Sequence, residues 1–326
     1  MALKWIKKGL LFGPQMHQTP DWMDQFAQAP CVLDLGDVLR VYFSCRPKPD
    51  QKGQYVSYTA FVDLNANDFN QILRISDEPI LPLGELGTFD EFGVYPTSVI
   101  GHQDGTLAYF GGWTRCESVP FNVAIGIAKG DKHGENFTRL GNGPILSYTP
   151  DEPFILSGPK IRKFNEQFQL FYIAGRKWIR VNDKPEPVYK IRLALSNDGL
   201  NWTKVNTDLI PSMINENEAQ ASPDVIFHNG YYHMFFCYRH GDNYRGKEKG
   251  YRIGYAWSQD LMQWHRNDDH VGITISEQGF DDQMISYPHV FLHNNKLHMF
   301  YLGNDVGRMG FGWAELEGEL VIPEQS

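Results

Sequence analysis

Short apolar runs rich in Tyr, Phe, Val and Ile alternate along the chain with clusters of Gly, Pro, Asn and Asp. Runs this short, bounded by turn formers, predict β-strands throughout, and helices should be scarce. The runs also repeat. Each copy reads proline, apolar strand, polar turn, then a second strand ending in aromatic residues: Pro30-Cys-Val-Leu to Val41-Tyr-Phe-Ser; Pro96-Thr-Ser-Val to Ala108-Tyr-Phe-Gly; Pro159-Lys-Ile-Arg to Leu170-Phe-Tyr-Ile; Pro223-Asp-Val-Ile to Met234-Phe-Phe-Cys; Pro288-His-Val-Phe to Met299-Phe-Tyr-Leu. The prolines stand 66, 63, 64 and 65 residues apart, a regularity that unrelated loops of a β-sandwich would not produce.

Each unit continues into a third strand and an Asp-initiated turn, as in Leu193-Ala-Leu-Ser-Asn-Asp-Gly-Leu-Asn-Trp202, and then a fourth strand, as in Asp208-Leu-Ile-Pro211. Four strands repeated radially make a propeller blade, which leaves only short, protected sheet edges. The expectation is one all-β domain over 1–326, a five-bladed β-propeller with blades near 24–83, 90–147, 152–211, 218–276 and 281–320. The last unit lacks a fourth strand. The segment 3–13 should supply it, because Trp5-Ile-Lys-Lys-Gly-Leu-Leu-Phe resembles the fourth-strand region after Trp202, and so close the ring.

Composition narrows the class further. Of the 326 residues 42% are hydrophobic, ample for a core, and the formal charge of -9 argues against a phosphate-backbone binder. The apolar run at the start is too short for a signal-peptide core and nothing later could span a bilayer, so a cytoplasmic protein without nucleic-acid or membrane partners is expected. Cys31, Cys45, Cys116 and Cys237 show no metal-ligand spacing and read as reduced thiols; no metal or cofactor is expected.

Acids recur in the loop that enters each innermost strand: Asp21 and Asp24, Asp90 and Glu91, Asp151 and Glu152, Glu216 and Glu218, Asp281 and Asp282. Glu91 and Glu218 both lie five residues ahead of their prolines. Cleaving a glycosidic bond needs one carboxylic acid and one carboxylate, so Asp24, Asp90, Glu91, Glu152 and Glu218 are the catalytic candidates, with capping of strand ends as their structural alternative. Arginines recur where second strands end, at Arg46, Arg115, Arg176 and Arg239, with Asn304-Asp305 in the fifth unit. Guanidinium groups around one mouth suit phosphate or an acidic sugar, or else pair with the loop acids. Trp113, Trp178, Tyr95, Tyr238 and Tyr287 are candidates to stack on sugar rings. His289, with Lys160 and Asp224, should line the deeper channel.

The five Pro-strand-aromatic units, the Asn-Asp-Gly-Leu-Asn-Trp202 turn and the acid-bearing loops resemble the clan of five-bladed glycosidases that includes glycoside hydrolase families 43, 32 and 68, with family 130 nearby. Phe89-Asp-Glu-Phe-Gly-Val-Tyr-Pro96 and Tyr287-Pro-His-Val-Phe291 look most like family-43-like proteins of bacterial surface-polysaccharide gene clusters. The resemblance implies a glycoside hydrolase or transglycosidase on a carbohydrate substrate, with a base in blade one (Asp24), an orienting acid in blade two (Asp90 or Glu91) and a proton donor in blade three (Glu152). Family 43 places its base directly before the first blade's proline, where this chain has Ala29, and Ser157-Gly158 stand where the third blade's acid motif would be. A phosphorylase using inorganic phosphate and a non-catalytic glycan-binding propeller are the alternatives.

Overall fold

The computed structural model describes residues 2–103 and 105–323. After β1 (Trp5–Phe12), the chain builds four-stranded antiparallel sheets in order. Blade one holds β2 (Gln25–Asp34), β3 (Val38–Arg46), β4 (Tyr58–Asn65) and β5 (Asp68–Ile75); blade two holds β6 (Gly93–His102), β7 (Gly105–Arg115), β8 (Phe121–Gly130) and β9 (Phe137–Arg139). Blade three follows with β10 (Leu156–Phe164), β11 (Gln167–Val181), β12 (Lys184–Ser196) and β13 (Thr203–Lys204), and blade four with β14 (Ala219–His228), β15 (Tyr231–Arg239), β16 (Arg252–Ser258) and β17 (His265–Arg266). Blade five has β18 (Ser286–His293), β19 (Lys296–Leu302) and β20 (Phe311–Leu316), and β1 pairs with β20 as its outermost strand. The five-bladed ring closed by the N-terminal strand is therefore the observed architecture. No helix among the described residues is long and apolar enough to cross a membrane.

The repeated prolines mark a repeated bulge. In every blade the pairing of first and second strands slips across the proline, between Gln28 and Cys31, Val94 and Thr97, Ser157 and Lys160, Ala221 and Asp224, and Ser286 and His289. Ala29, Gly158, Ser222 and Tyr287 precede their prolines in the left-handed region, while Tyr95–Pro96 is cis. A bulge bends its strand and re-aims the next side chain. In blades three, four and five that next side chain is Lys160, Asp224 and His289.

These three join across the ring axis. The Val32 N–H of blade one donates to His289 Nε2 at 2.9 Å, so the ring proton sits on Nδ1 and bonds Asp224 Oδ2 at 2.7 Å. Lys160 Nζ lies 3.0 Å from His289 Nδ1 and 3.6 Å from Asp224, and Arg162 pairs with the second Asp224 oxygen. All three residues are buried, and the network plugs the channel rather than lining an open one. Burial pushes the Asp224 carboxyl up, but Arg162, Lys160 and His289 prevail and hold it well below its ordinary value. Burial, helped by Lys160, depresses His289 to about 3, and burial likewise depresses His233 to about 4.

Above the ordinary imidazole value of about 6.5 both states are neutral and the contribution is fully present; below it only the unfolded chain takes up protons, so stability falls. Each imidazole contributes a slope of up to about 1.4 kcal/mol per pH unit. Denaturant titrations should show falling stability from about pH 6.5 toward pH 4, steepening below about 4.5 as Asp224 and other depressed carboxylates protonate. Stability that stays flat from pH 7 to 4.5 would contradict a buried neutral His289.

Candidate active site

Beyond the plug, at the end where the inner strands begin, lies a cavity of about 1040 Å³. Its floor comes from the starts of β2, β6, β10 and β18, and its walls from the loops joining second to third strands in the five blades. In blade three the strands themselves are long, β11 with 15 residues and β12 with 13, and their ends bring Arg180 and residues 183–187 to the cavity wall. Aromatic side chains cover much of the surface, with Tyr95, Tyr287, Tyr189 and Tyr251 grouped through hydroxyl contacts at 3.3 Å and 2.7 Å.

Three arginines in the walls, Arg46, Arg239 and the exposed Arg180, lack a carboxylate within ion-pair distance among the described residues. Arg239 is fully buried, donating to Tyr251 hydroxyl at 3.1 Å, His240 carbonyl at 2.8 Å and Pro187 carbonyl at 3.0 Å, with its guanidinium 3.7 Å from the Tyr244 ring centre. Burial of the charge is opposed by the Tyr189, Tyr251 and Tyr244 oxygens, and the guanidinium stays firmly protonated. Arg46, in blade one, packs its guanidinium 4.7 Å from Phe26, 5.5 Å from Tyr55 and 5.7 Å from Tyr95, and its buried Nε has no hydrogen-bond partner. Aromatic faces attract a cation but do not neutralise it, and a desolvated donor without a partner costs free energy unless a ligand or water fills the place. Arg115 completes the series, bonding Tyr55 carbonyl at 2.9 Å with Asp50 3.8 Å away.

Of the binding candidates, Arg46, Trp113, Arg115, Arg239, Tyr287 and Asp305 line the cavity, as does Tyr95. Arg176, Trp178, Tyr238 and His289 do not. β11 runs on through Arg176 with a slip in pairing between Gly175 and Lys177, and Arg176 faces Asp208 at 3.6 Å while Trp178 packs edge-on against Phe121. Tyr238 precedes Arg239 on β15 and so points to the opposite side of the sheet, where Arg266 lies 4.6 Å over its ring. His289 belongs to the plug.

None of the five catalytic candidates lines this cavity. Instead the entry-loop acids of four blades each reach a cation on the outermost strand of their own blade: Asp90 to Arg139 at 2.6 Å, Glu152 to Lys204, Glu218 to Arg266 at 2.6 Å and Asp281 to Lys7 at 2.6 Å. Glu152 also takes bonds from Tyr172 at 2.7 Å and Arg192 at 3.0 Å; burial pushes its carboxyl up, but Lys204, Tyr172 and Arg192 prevail and hold it below the ordinary range. Glu218 accepts from Gln220 and from the Met213 and Ile214 N–H groups, and its carboxyl is likewise depressed despite burial. Glu91 accepts from the Gly87 N–H at 3.0 Å, and Asp24 lies 3.9 Å from exposed Lys48. The structure thus keeps these carboxyls within their own blades and does not gather them at the mouth.

Comparison with known proteins fits this architecture. No protein-family model matches the chain. Uncharacterized protein Rv1502 of Mycobacterium tuberculosis is 33% identical over 316 residues, covering 97% of this chain and 100% of its own. The chain belongs to the Rv1502 family. A β-1,2-mannobiose phosphorylase of a Thermoanaerobacter species is 29% identical over 165 residues, 46% of this chain and 50% of its own. Among solved structures, a glycoside hydrolase superposes with TM-score 0.74 at 17% identity over 99% of this chain and 96% of that one, and a thermostable family-43 glycoside hydrolase with TM-score 0.64 at 14% identity over 92% and 96%. This Rv1502-family chain therefore shares the fold of the glycosidase propellers that its blade motifs resemble.

In this family member the acids that do line the cavity are Glu117, Asp183, Glu186 and Asp305. The first three are absent from the loop-acid pattern because Glu117 and Asp183 sit between second and third strands and Glu186 near the start of the third strand β12, in hairpins whose lengths differ from blade to blade. Glu186 is buried, accepting from Tyr244 hydroxyl at 2.9 Å and Arg245 at 2.7 Å. The one available signal was the run Arg239 to Tyr251, where aromatic and basic residues crowd a loop after a second strand.

Proposed function

We propose that the cavity is the active site of an enzyme that cleaves or transfers a glycosyl unit of a glycan bearing an anionic group. The observation that carries this reading is the pair Arg46 and Arg239, cations set among aromatic rings in a cavity wall with no carboxylate partner within 4 Å among the described residues. Aromatic faces suit the apolar faces of a sugar; Arg46, whose Nε has no partner, is free to grip a carboxylate or phosphate, while Arg239, held by tyrosine and carbonyl oxygens, adds positive charge to the wall. The cavity acids supply the proton transfer that glycosidic cleavage needs.

A second reading is favoured by the half-chain similarity to a mannobiose phosphorylase. There the anion is inorganic phosphate, attacking the anomeric carbon itself. Turnover of neutral and acidic oligosaccharides, with and without phosphate, separates the readings. Phosphate-independent cleavage with preference for acidic glycans supports the first, and phosphate-dependent release of a sugar 1-phosphate supports the second. Binding of oligosaccharide with no product under any condition would replace both with a glycan-binding propeller.

A further inference from the structure

We infer that Asp305 is the proton donor of this site, presented by a left-handed turn that blade one helps to hold. This rests on the glycan-cleaving reading and adds the residue that performs the proton transfer.

The turn Asn304–Gly307 follows β19 and carries three successive residues in the left-handed region: Asp305 (φ 52, ψ 32), Val306 (φ 53, ψ 49) and Gly307 (φ 77). A β-branched residue such as Val306 is a genuine outlier there, and such a conformation persists only where the surroundings over-determine it. They do so from two sides. Asn304 accepts from the Gln283 N–H at 2.9 Å and donates to Asp282 at 2.7 Å, tying the turn to the blade-five entry loop. Gln28 of β2 donates to the Val306 carbonyl at 2.5 Å, tying it to blade one.

The result is a polar seam between blades one and five whose groups are not satisfied within the protein. Gln28 Oε1 and Arg46 Nε are buried without partners, and Phe26 stands beside Arg46 at 4.7 Å and Arg308 at 5.9 Å. Asp305 is exposed to the cavity with no cation within 4 Å among the described residues. The opposite wall differs. There Glu186 is committed to Tyr244 and Arg245, and Arg239 to carbonyl and tyrosine oxygens. Glu117 lies on an exposed loop, and Asp183, also left-handed (φ 63), lies in the exposed two-residue β11–β12 turn, which has no buried unpartnered donor or acceptor of its own among the described residues. A carboxyl fixed by its backbone, yet left open to a ligand beside an acceptor and a donor that also lack partners, is placed to act on that ligand.

In the reaction, Asp305 gives its proton to the glycosidic oxygen as the bond from that oxygen to the anomeric carbon breaks and its electron pair passes to oxygen. The incoming oxygen, from water, an acceptor hydroxyl or phosphate, forms the new bond to that carbon. Its proton, where it carries one, leaves through the open mouth, from which the carboxylate is reprotonated.

Asn is as much at ease as Asp in the left-handed region, so Asp305→Asn removes the proton donor while preserving the turn. The test compares wild type and Asp305→Asn on the oligosaccharide cleaved by wild type and on the 2,4-dinitrophenyl glycoside of the same sugar, whose leaving group needs no proton. We expect kcat on the oligosaccharide to fall about 100-fold or more, in line with general acid–base contributions, with kcat on the dinitrophenyl glycoside within about 3-fold and an unchanged melting temperature. Equal losses on both substrates, or no loss on either, overturn the assignment alone. A wild type that cleaves neither substrate nor any other glycan overturns the glycan-cleaving reading and the assignment with it.

Discussion

Removing residues 2–13 is expected to abolish the folded ring. β1 supplies the outermost strand of blade five, with register partners from Trp5 opposite Leu316 to Phe12 opposite Phe311. With the residues before it, the strand buries Leu3, Trp5, Leu11 and Phe12; Trp5 packs edge-on against Phe235 of blade four and donates from its indole to Val271 carbonyl at 3.0 Å. At about 1.5–3 kcal/mol for each large apolar side chain, four of them amount to about 6–12 kcal/mol. That is as large as the whole net stability of a typical domain, about 5–15 kcal/mol. Loss of Lys7 also strands buried Asp281. Circular dichroism and thermal melting of the truncated chain should show no cooperative transition near the parental temperature. A truncated chain that melts with the parent would contradict closure by β1.

Glu152→Gln is expected to destabilise by about 3–5 kcal/mol, the usual result of breaking a buried ion pair from one side. Glu152 is wholly buried, Lys204 and Arg192 are nearly so, and the amide would leave their charges uncompensated apart from the Arg192 bond to Asp208 at 2.8 Å. Asp24→Asn is the contrast. Its Lys48 partner is exposed and 3.9 Å away, a pair of the kind worth about 0–1 kcal/mol. Chemical denaturation of both variants tests this. Equal, small losses would show that the entry-loop acids carry little structural load.

The fold was legible because its signals are local and repeated. A proline at each inner-strand bulge recurs at nearly constant spacing, and the fifth unit visibly lacked a strand that the segment around Trp5 could provide. The entry-loop acids were legible as a repeat, yet their partners Arg139, Lys204, Arg266 and Lys7 sit on short outer strands whose register the repeat does not reveal. Recurrence therefore suggested a shared mouth where the structure has a separate ion pair in each of blades two to five. Arg46, Arg115 and Arg239 could be placed because they end second strands, whereas Arg176 lies inside a strand that runs on past it to Val181. Tyr189, Tyr244, Tyr251 and Glu186 escaped for the opposite reason: they belong to hairpins that each blade builds differently. Asp305 was visible as the fifth blade's substitute for arginine, but its left-handed backbone is set by Gln28 and Asn304 through contacts distant in sequence.

We propose that the working surface is the cavity walled by Arg46 and Arg239, and that the entry-loop acids brace the outer strands of their own blades. The decisive measurement is kcat/KM of wild type, Arg46→Ala and Glu218→Gln on one cleaved glycan, each normalised to the folded fraction. Arg46→Ala should lose about 10-fold or more, the scale of a charge-assisted contact of about 1.5–3 kcal/mol, with Glu218→Gln close to wild type despite lower stability. Wild-type turnover in Arg46→Ala together with loss of two or more decades in folded Glu218→Gln would contradict it.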